Sequence, residues 1–230
     1  MQQRQHYRKC GEPNVPLVVP GDPFTLFYDY DQLEDHKLDT LSPIQRSVWL
    51  KHRIDMVFIE PIRRIIKEED LFDRLLRTLP DRPIYSCFSI ALMSMMLSGV
   101  EALGSFLRPD LAERSNPPNK EIFNCFMRQY MPEWNKRSSI LGSTVLEILW
   151  NHFRVGITHG FQIKPPGSLE FLPSDRFRVE KELFQVCPEH FFDDLAIGVD
   201  QYFKHLRTDE DALAKFHKRF LKVYPCQRET

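Results

Sequence analysis

The chain has 230 residues and carries 31 Lys+Arg against 32 Asp+Glu, a formal net charge of −1. That length is enough for one good-sized domain with a buried core, and 42% hydrophobic residues with only 9 Gly exclude a disordered or collagen-like chain. The even charge balance supplies no global field for nucleic acid or a membrane surface, so any polyanion site has to be local.

The five cysteines, Cys10, Cys87, Cys125, Cys187 and Cys226, are widely spaced and form no CxxC pair. They fit neither a disulfide framework nor a zinc ribbon and predict a reducing, cytoplasmic setting. The basic segment Met1–Gly11 runs into Glu12-Pro13 rather than an apolar core, which does not read as a secretory signal.

Pro13, Pro16, Pro20 and Pro23 punctuate the first thirty residues, predicting an extended arm with at most one short strand. Ser42-Pro43 then supplies an N-cap followed by proline at the first helical position. Apolar residues at Ile44, Val48, Ile54, Val57, Phe58, Ile62 and Ile65 predict a long amphipathic helix kinked at Pro61. Asp81 to Pro83 repeats the start signal and opens an apolar helix to about Leu107, in which Glu101 is the only charge. Such a helix is either a membrane span or the central helix of a bundle. Its four serines, its flanking Arg82 and Arg108 and its place among amphipathic helices favour the bundle, with no membrane partner.

Arg108 to Pro118 reads as a polar loop, and Asn119 as the cap of a short helix through Ile122, Phe123, Phe126 and Tyr130 that stops before Pro132. Ser138 or Ser139 is the expected cap of the next helix, which runs through Leu141, Val145, Ile148 and Leu149 to about Thr158, with Gly160 at its end. From Phe161 to Val186, short β-rich pieces around the Pro165-Pro166-Gly167 turn predict a small hairpin or meander. Pro188 or Glu189 restarts helix, and a last helix runs from Asp209 to Val223. The predicted organisation is an extended arm over 1–41, a helical core over 42–160, and a β element plus C-terminal helices over 161–230 on the same domain.

The chemistry-bearing run is Asn151-His152-Phe153-Arg154-Val155-Gly156-Ile157-Thr158-His159-Gly160. Arginine offers a permanent cation with a planar donor fork suited to phosphate, and histidine trades a proton near neutral pH. Five residues apart on a continuous helix, His159 stands roughly 140° around from Arg154, while Thr158 lies almost beneath it. The pair converges only if the helix loosens near Gly156, ends by His159, or meets a second subunit. An Arg and a His near a helix C-terminus also satisfy the last carbonyls and complement the dipole with no catalysis involved.

The segment from Phe153 to Gly160 resembles the R-x4-6-H signature of the HEPN superfamily, and the apolar helix through Ser86–Gly104 resembles that family's companion core helix. The resemblance covers about residues 83–160 and implies a mainly α, HEPN-like helical bundle, with the β hairpin or meander as an insertion after the motif helix. It further implies a homodimer and a metal-independent endoribonuclease that uses no cofactor, in the setting of a toxin or defence effector with an antitoxin or regulatory partner. Arg154 would hold the scissile phosphate and His159 would act as general acid or base while the RNA 2′-hydroxyl attacks. Active members usually carry a polar residue after the arginine, where this chain has Val155; Asn151 and His152, one turn earlier, are the candidate substitutes. The alternative is a non-catalytic HEPN-like scaffold or a nucleotide- or protein-binding module.

A lone carboxylate on a buried helix needs a cation, which makes Glu101 the expected partner of Arg154. Lys215, Lys218, Arg219 and Lys222 form a basic stripe on the last helix that could track an RNA backbone, or simply be a solvated face. Glu189-His190 with Asp193-Asp194 has metal-ligand residue types at helical spacing but no second half, and no metal is expected.

Overall fold

The computed structural model describes residue 38 and residues 41–67, 89–136, 142–160, 162–170, 175–180 and 182–225. Of the arm expected over 1–41 only Leu38 and Leu41 are described, both buried in the core; the rest of it, the Asp81–Pro83 helix start, Ser138 and Ser139, and Cys10, Cys87 and Cys226 lie outside the described residues. Of the described residues 73% are helical, which makes the class mainly α with a small sheet.

Helix α1 begins at Pro43–Ile54 under a Ser42 capping box, in which the Gln45 N–H donates to Ser42 Oγ at 3.3 Å and the Ser42 N–H to Gln45 Oε1 at 2.8 Å. A π turn over Asp55–Ile59 follows, and helix continues over 60–67. The expected break at Pro61 is therefore taken up one turn earlier, where the Glu60 N–H reaches back five residues to the Asp55 carbonyl. The wider turn also shifts the helical phase. Trp49, Leu50, Ile59 and Ile62 are buried, while Val57, expected on the core face, is 60% exposed.

Helix α2 (Ser89–Leu107) is the central element. Among the described residues it is the one helix long and apolar enough to cross a membrane; 44% of that stretch is buried inside the protein, while Ile90 and Met95 are exposed. Met93, Met96, Leu97 and Val100 are fully buried, each stabilising the fold by about 1.5–3 kcal/mol. A four-residue helix, α3 (Pro109–Ala112), replaces the start of the expected loop because Pro109 opens a turn that buries Leu111. Helix α4 (Asn119–Tyr130) crosses α2 at Gly104, where a Cβ would stand 2.2 Å from the Ile122 carbonyl oxygen. Asn119 is its first helical residue rather than its cap, and a 3-10 turn over Pro132–Trp134 ends the segment.

Helix α5 is continuous over 145–160: Val145–Ile148, a π turn over Leu149–Arg154, then Val155–Gly160. Its start is set by a Thr144–Glu147 capping box, later in the chain than Leu141. The strands β1 (Gly167–Leu169), β2 (Phe177–Glu180) and β3 (Leu183–Val186) follow. Strands β2 and β3 form the expected hairpin, but β1 pairs parallel on the other side of β3, giving the order β1-β3-β2 rather than a meander. Residues 162–164 are not strand; they run along α5.

Helix α6 (Pro188–His205) and helix α7 (Glu210–Val223) complete the body, the latter capped by Asp209, whose side chain accepts from the Ala212 N–H at 2.9 Å. Helix α2 packs against α4, α6 and α7. The sheet is tied to α6 by Asp194, which accepts from Arg176 Nε at 2.6 Å and from Trp134 Nε1 at 2.9 Å.

Candidate functional site

The motif residues occupy the C-terminal half of α5, and the π turn over Leu149–Arg154 ends on the arginine itself. Interruptions of this kind recur at functional sites in helices. Phe153 and Ile157 face the core, which turns Arg154 towards α2. There its Nε lies 3.0 Å and its second terminal nitrogen 2.9 Å from the same Glu101 oxygen. The remaining terminal nitrogen donates to Thr158 Oγ1, and that hydroxyl in turn donates to the Arg154 carbonyl at 2.7 Å.

Both ends of the ion pair are about four-fifths buried, with side-chain exposures of 19% for Arg154 and 20% for Glu101. The guanidinium is thus held at a fixed angle by a carboxylate on one helix and a hydroxyl on its own. Of its five donors, three are engaged, which leaves one N–H on each terminal nitrogen. Glu101 supplies the opposite charge that lets the cation be withdrawn from bulk water.

His159 is exposed, and its side chain makes no hydrogen bond among the described residues. Helix persists through Gly160, so the chain neither loosens at Gly156 nor stops before His159. Arg154 consequently meets Thr158, not His159, and the imidazole stands roughly 140° around the helix from the guanidinium. Asn151 is exposed. His152 is half-buried, and its Nδ1 is buried with no hydrogen-bond partner among the described residues. Its carbonyl accepts the Lys164 N–H at 2.9 Å.

Gly156 explains how the segment after the helix can lie so close. A Cβ there would be 2.7 Å from the Gln162 carbonyl oxygen and 3.1 Å from the Lys164 nitrogen. Gln162 and Lys164 are therefore part of the motif's surroundings, and the sequence reading overlooked them. A glycine inside an otherwise regular helix, at a cost of about 1 kcal/mol relative to alanine, was the available signal.

The basic stripe on α7 is divided by its partners. Lys215 pairs with Asp211 on its own helix and Lys218 lies 3.4 Å from Glu113. Arg219 reaches Ser105 Oγ at 3.4 Å, and Lys222 is exposed. Ser105 is one turn beyond Glu101 on α2, so that helix face runs from the Arg154 pair to Arg219. Among the described residues no group of three or more His, Cys, Asp or Glu side chains stands together as a metal cluster. Asp194, one of the residue types weighed as a ligand, is occupied by Arg176 and Trp134.

Comparison of the chain with protein-family models, with curated proteins and with solved structures finds no match in any of the three.

Proposed function

We propose that this chain is a HEPN-type, metal-independent endoribonuclease whose active site is completed by a second copy of itself. The observation that carries the reading is the anchoring of Arg154. A guanidinium fixed by Glu101 and Thr158, with an N–H left on each terminal nitrogen, is pre-organised for a phosphate in a way that a freely rotating surface arginine is not. Within one chain His159 points elsewhere around the helix. The two groups therefore meet only across an interface, with Arg154 of one copy beside His159 of the other.

In this reading Arg154 binds the non-bridging oxygens of the scissile phosphodiester and offsets the charge that builds up on them. The RNA 2′-oxygen attacks phosphorus, the bond to the 5′-oxygen breaks, and a 2′,3′-cyclic phosphate and a 5′-hydroxyl result. His159, exposed and unengaged, either accepts the 2′-hydroxyl proton or delivers one to the departing 5′-oxygen. Val155 offers no hydrogen bond, and Thr158 takes the part of holding the arginine's outer nitrogen. Arg219 beside Ser105 supports a path for the RNA backbone along α2. The setting that goes with this chemistry is the cytoplasm, as a toxin or defence effector controlled by an antitoxin or other regulatory protein.

A non-catalytic scaffold is favoured by one observation, the neutralisation of Arg154 by Glu101, which suits a helix-locking ion pair equally well. Incubating wild type and His159→Ala with RNA in excess EDTA, followed by end-group analysis, separates the two. Cyclic-phosphate ends that vanish in the variant support the nuclease. A folded, dimeric wild type that leaves every RNA intact supports the scaffold.

A further inference from the structure

Two cationic or proton-trading faces exist on α5, and in the proposed dimer each chain lends Arg154 from one and His159 from the other to the two shared sites. On the His159 face, Gly156 and His159 follow at i and i+3, and the carbonyl of His152, in the π turn before them, opens onto the same segment. The Lys164 backbone is clamped onto this side: its N–H donates to the His152 carbonyl at 2.9 Å, and its Cγ would be 3.2 Å from a Cβ on Gly156. Gln162 crosses at the next turn, its Cγ 3.5 Å from the Cβ position of Gly160.

Side chains on a helix lean back towards its N-terminus, which directs His159 towards the turn that contains Gly156. That is the turn over which the Lys164 stem passes. Lys164 is exposed and has no ion pair among the described residues. His152 carries a buried ring nitrogen without a partner, a cost of about 1–3 kcal/mol that a ring movement towards a bound anion would relieve.

We infer that Lys164, His159 and His152 form a phosphate-binding subsite on the face of α5 turned away from Arg154. Lys164 supplies the charge and the histidines supply N–H donors, while Gly156 lets the 162–164 backbone lie close enough to bring Lys164 beside them. The choice of an RNA phosphate as the natural ligand rests on the nuclease reading, but the geometry of the subsite does not. In a dimer of the kind proposed, this subsite would hold the phosphate from the side opposite the partner's arginine.

The test uses the full chain in EDTA and two probes, inorganic phosphate and a 2′-O-methyl RNA oligomer that cannot be cleaved. Inorganic phosphate is expected to shift the ring signals of His152 and His159 in wild type. Lys164→Ala should weaken that binding by about five- to tenfold and lower the salt slope of RNA binding by about one. Lys164→Arg should restore both. Lys204→Ala, which alters an exposed lysine on α6, should match wild type. The main-chain bond to His152 does not involve the side chain at 164, and circular dichroism checks that each variant is folded. Phosphate binding that depends on Lys164 without competition from the RNA would leave the subsite standing and remove RNA as its ligand. Histidine signals that ignore phosphate, or an equal response in Lys164→Ala and wild type, would overturn the subsite whatever the cleavage assay gives.

Discussion

Gly156→Ala sets two well-understood effects against each other. A glycine inside a helix is normally improved by alanine, with a gain of about 1 kcal/mol from propensity. Here the new methyl would meet the Gln162 carbonyl oxygen at 2.7 Å and the Lys164 nitrogen at 3.1 Å, both backbone atoms that cannot swing aside. Relief requires the 162–164 segment to lift from α5, which costs about 1–3 kcal/mol for overpacking. It also stretches the bond from the Lys164 N–H to the His152 carbonyl, at about 0.5–1.5 kcal/mol for the net worth of one hydrogen bond. Subtracting the propensity gain leaves a net destabilisation of about 2 kcal/mol, a fall in Tm of roughly 4–8 °C for a chain of this size. Urea unfolding followed by circular dichroism measures it directly. A variant as stable as wild type, or more so, would refute the close approach on which the α5 surface has been built.

Gly104→Ala should be worse, about 3 kcal/mol destabilising by the same denaturation assay, because its methyl would face the Ile122 carbonyl oxygen at 2.2 Å and two helices would have to separate. Glu101→Gln keeps the shape but removes the charge that offsets Arg154. A loss of about 1–3 kcal/mol in urea is expected for a pair this far withdrawn from solvent, and an unchanged midpoint would contradict the pairing. Burial and the Asp209 charge push the Tyr130 phenol up to about 12 from 10.0. The folded state therefore keeps that proton longer than the unfolded chain does, so the contribution is fully present below pH 10 and declines as pH rises towards 12. Unfolding midpoints taken across that window should fall, and Tyr130→Phe should flatten part of the slope.

Much of the helical framework was legible because its boundaries rest on local chemistry. Ser42-Pro43, Cys187-Pro188 and Asp209 each start a helix through a cap or a proline whose missing N–H costs nothing there. The two π turns were not legible. They leave no mark in residue type, yet each shifts the helical phase, which is why Val57 is exposed while Ile59 is buried. The parallel pairing of β1 with β3 was also hidden, since it joins residues such as Gly167 and Phe184 across a long intervening segment, whereas the β2–β3 hairpin is a near neighbour in sequence. At the site, helical arithmetic set Thr158 beneath Arg154, and the charge argument paired Glu101 with it. Lys164 was missed because its position depends on what a glycine omits rather than on what its own neighbours contain.

The proposed exchange of groups across a dimer is tested most directly by mixing two inactive variants. Arg154→Ala and His159→Ala should each abolish cyclic-phosphate production by the homodimer. After co-refolding, the mixed dimer would contain one site with both changes and one site with neither, and cleavage in EDTA should return. A mixed dimer that forms but stays inactive, beside an active wild type, would contradict a site shared between copies.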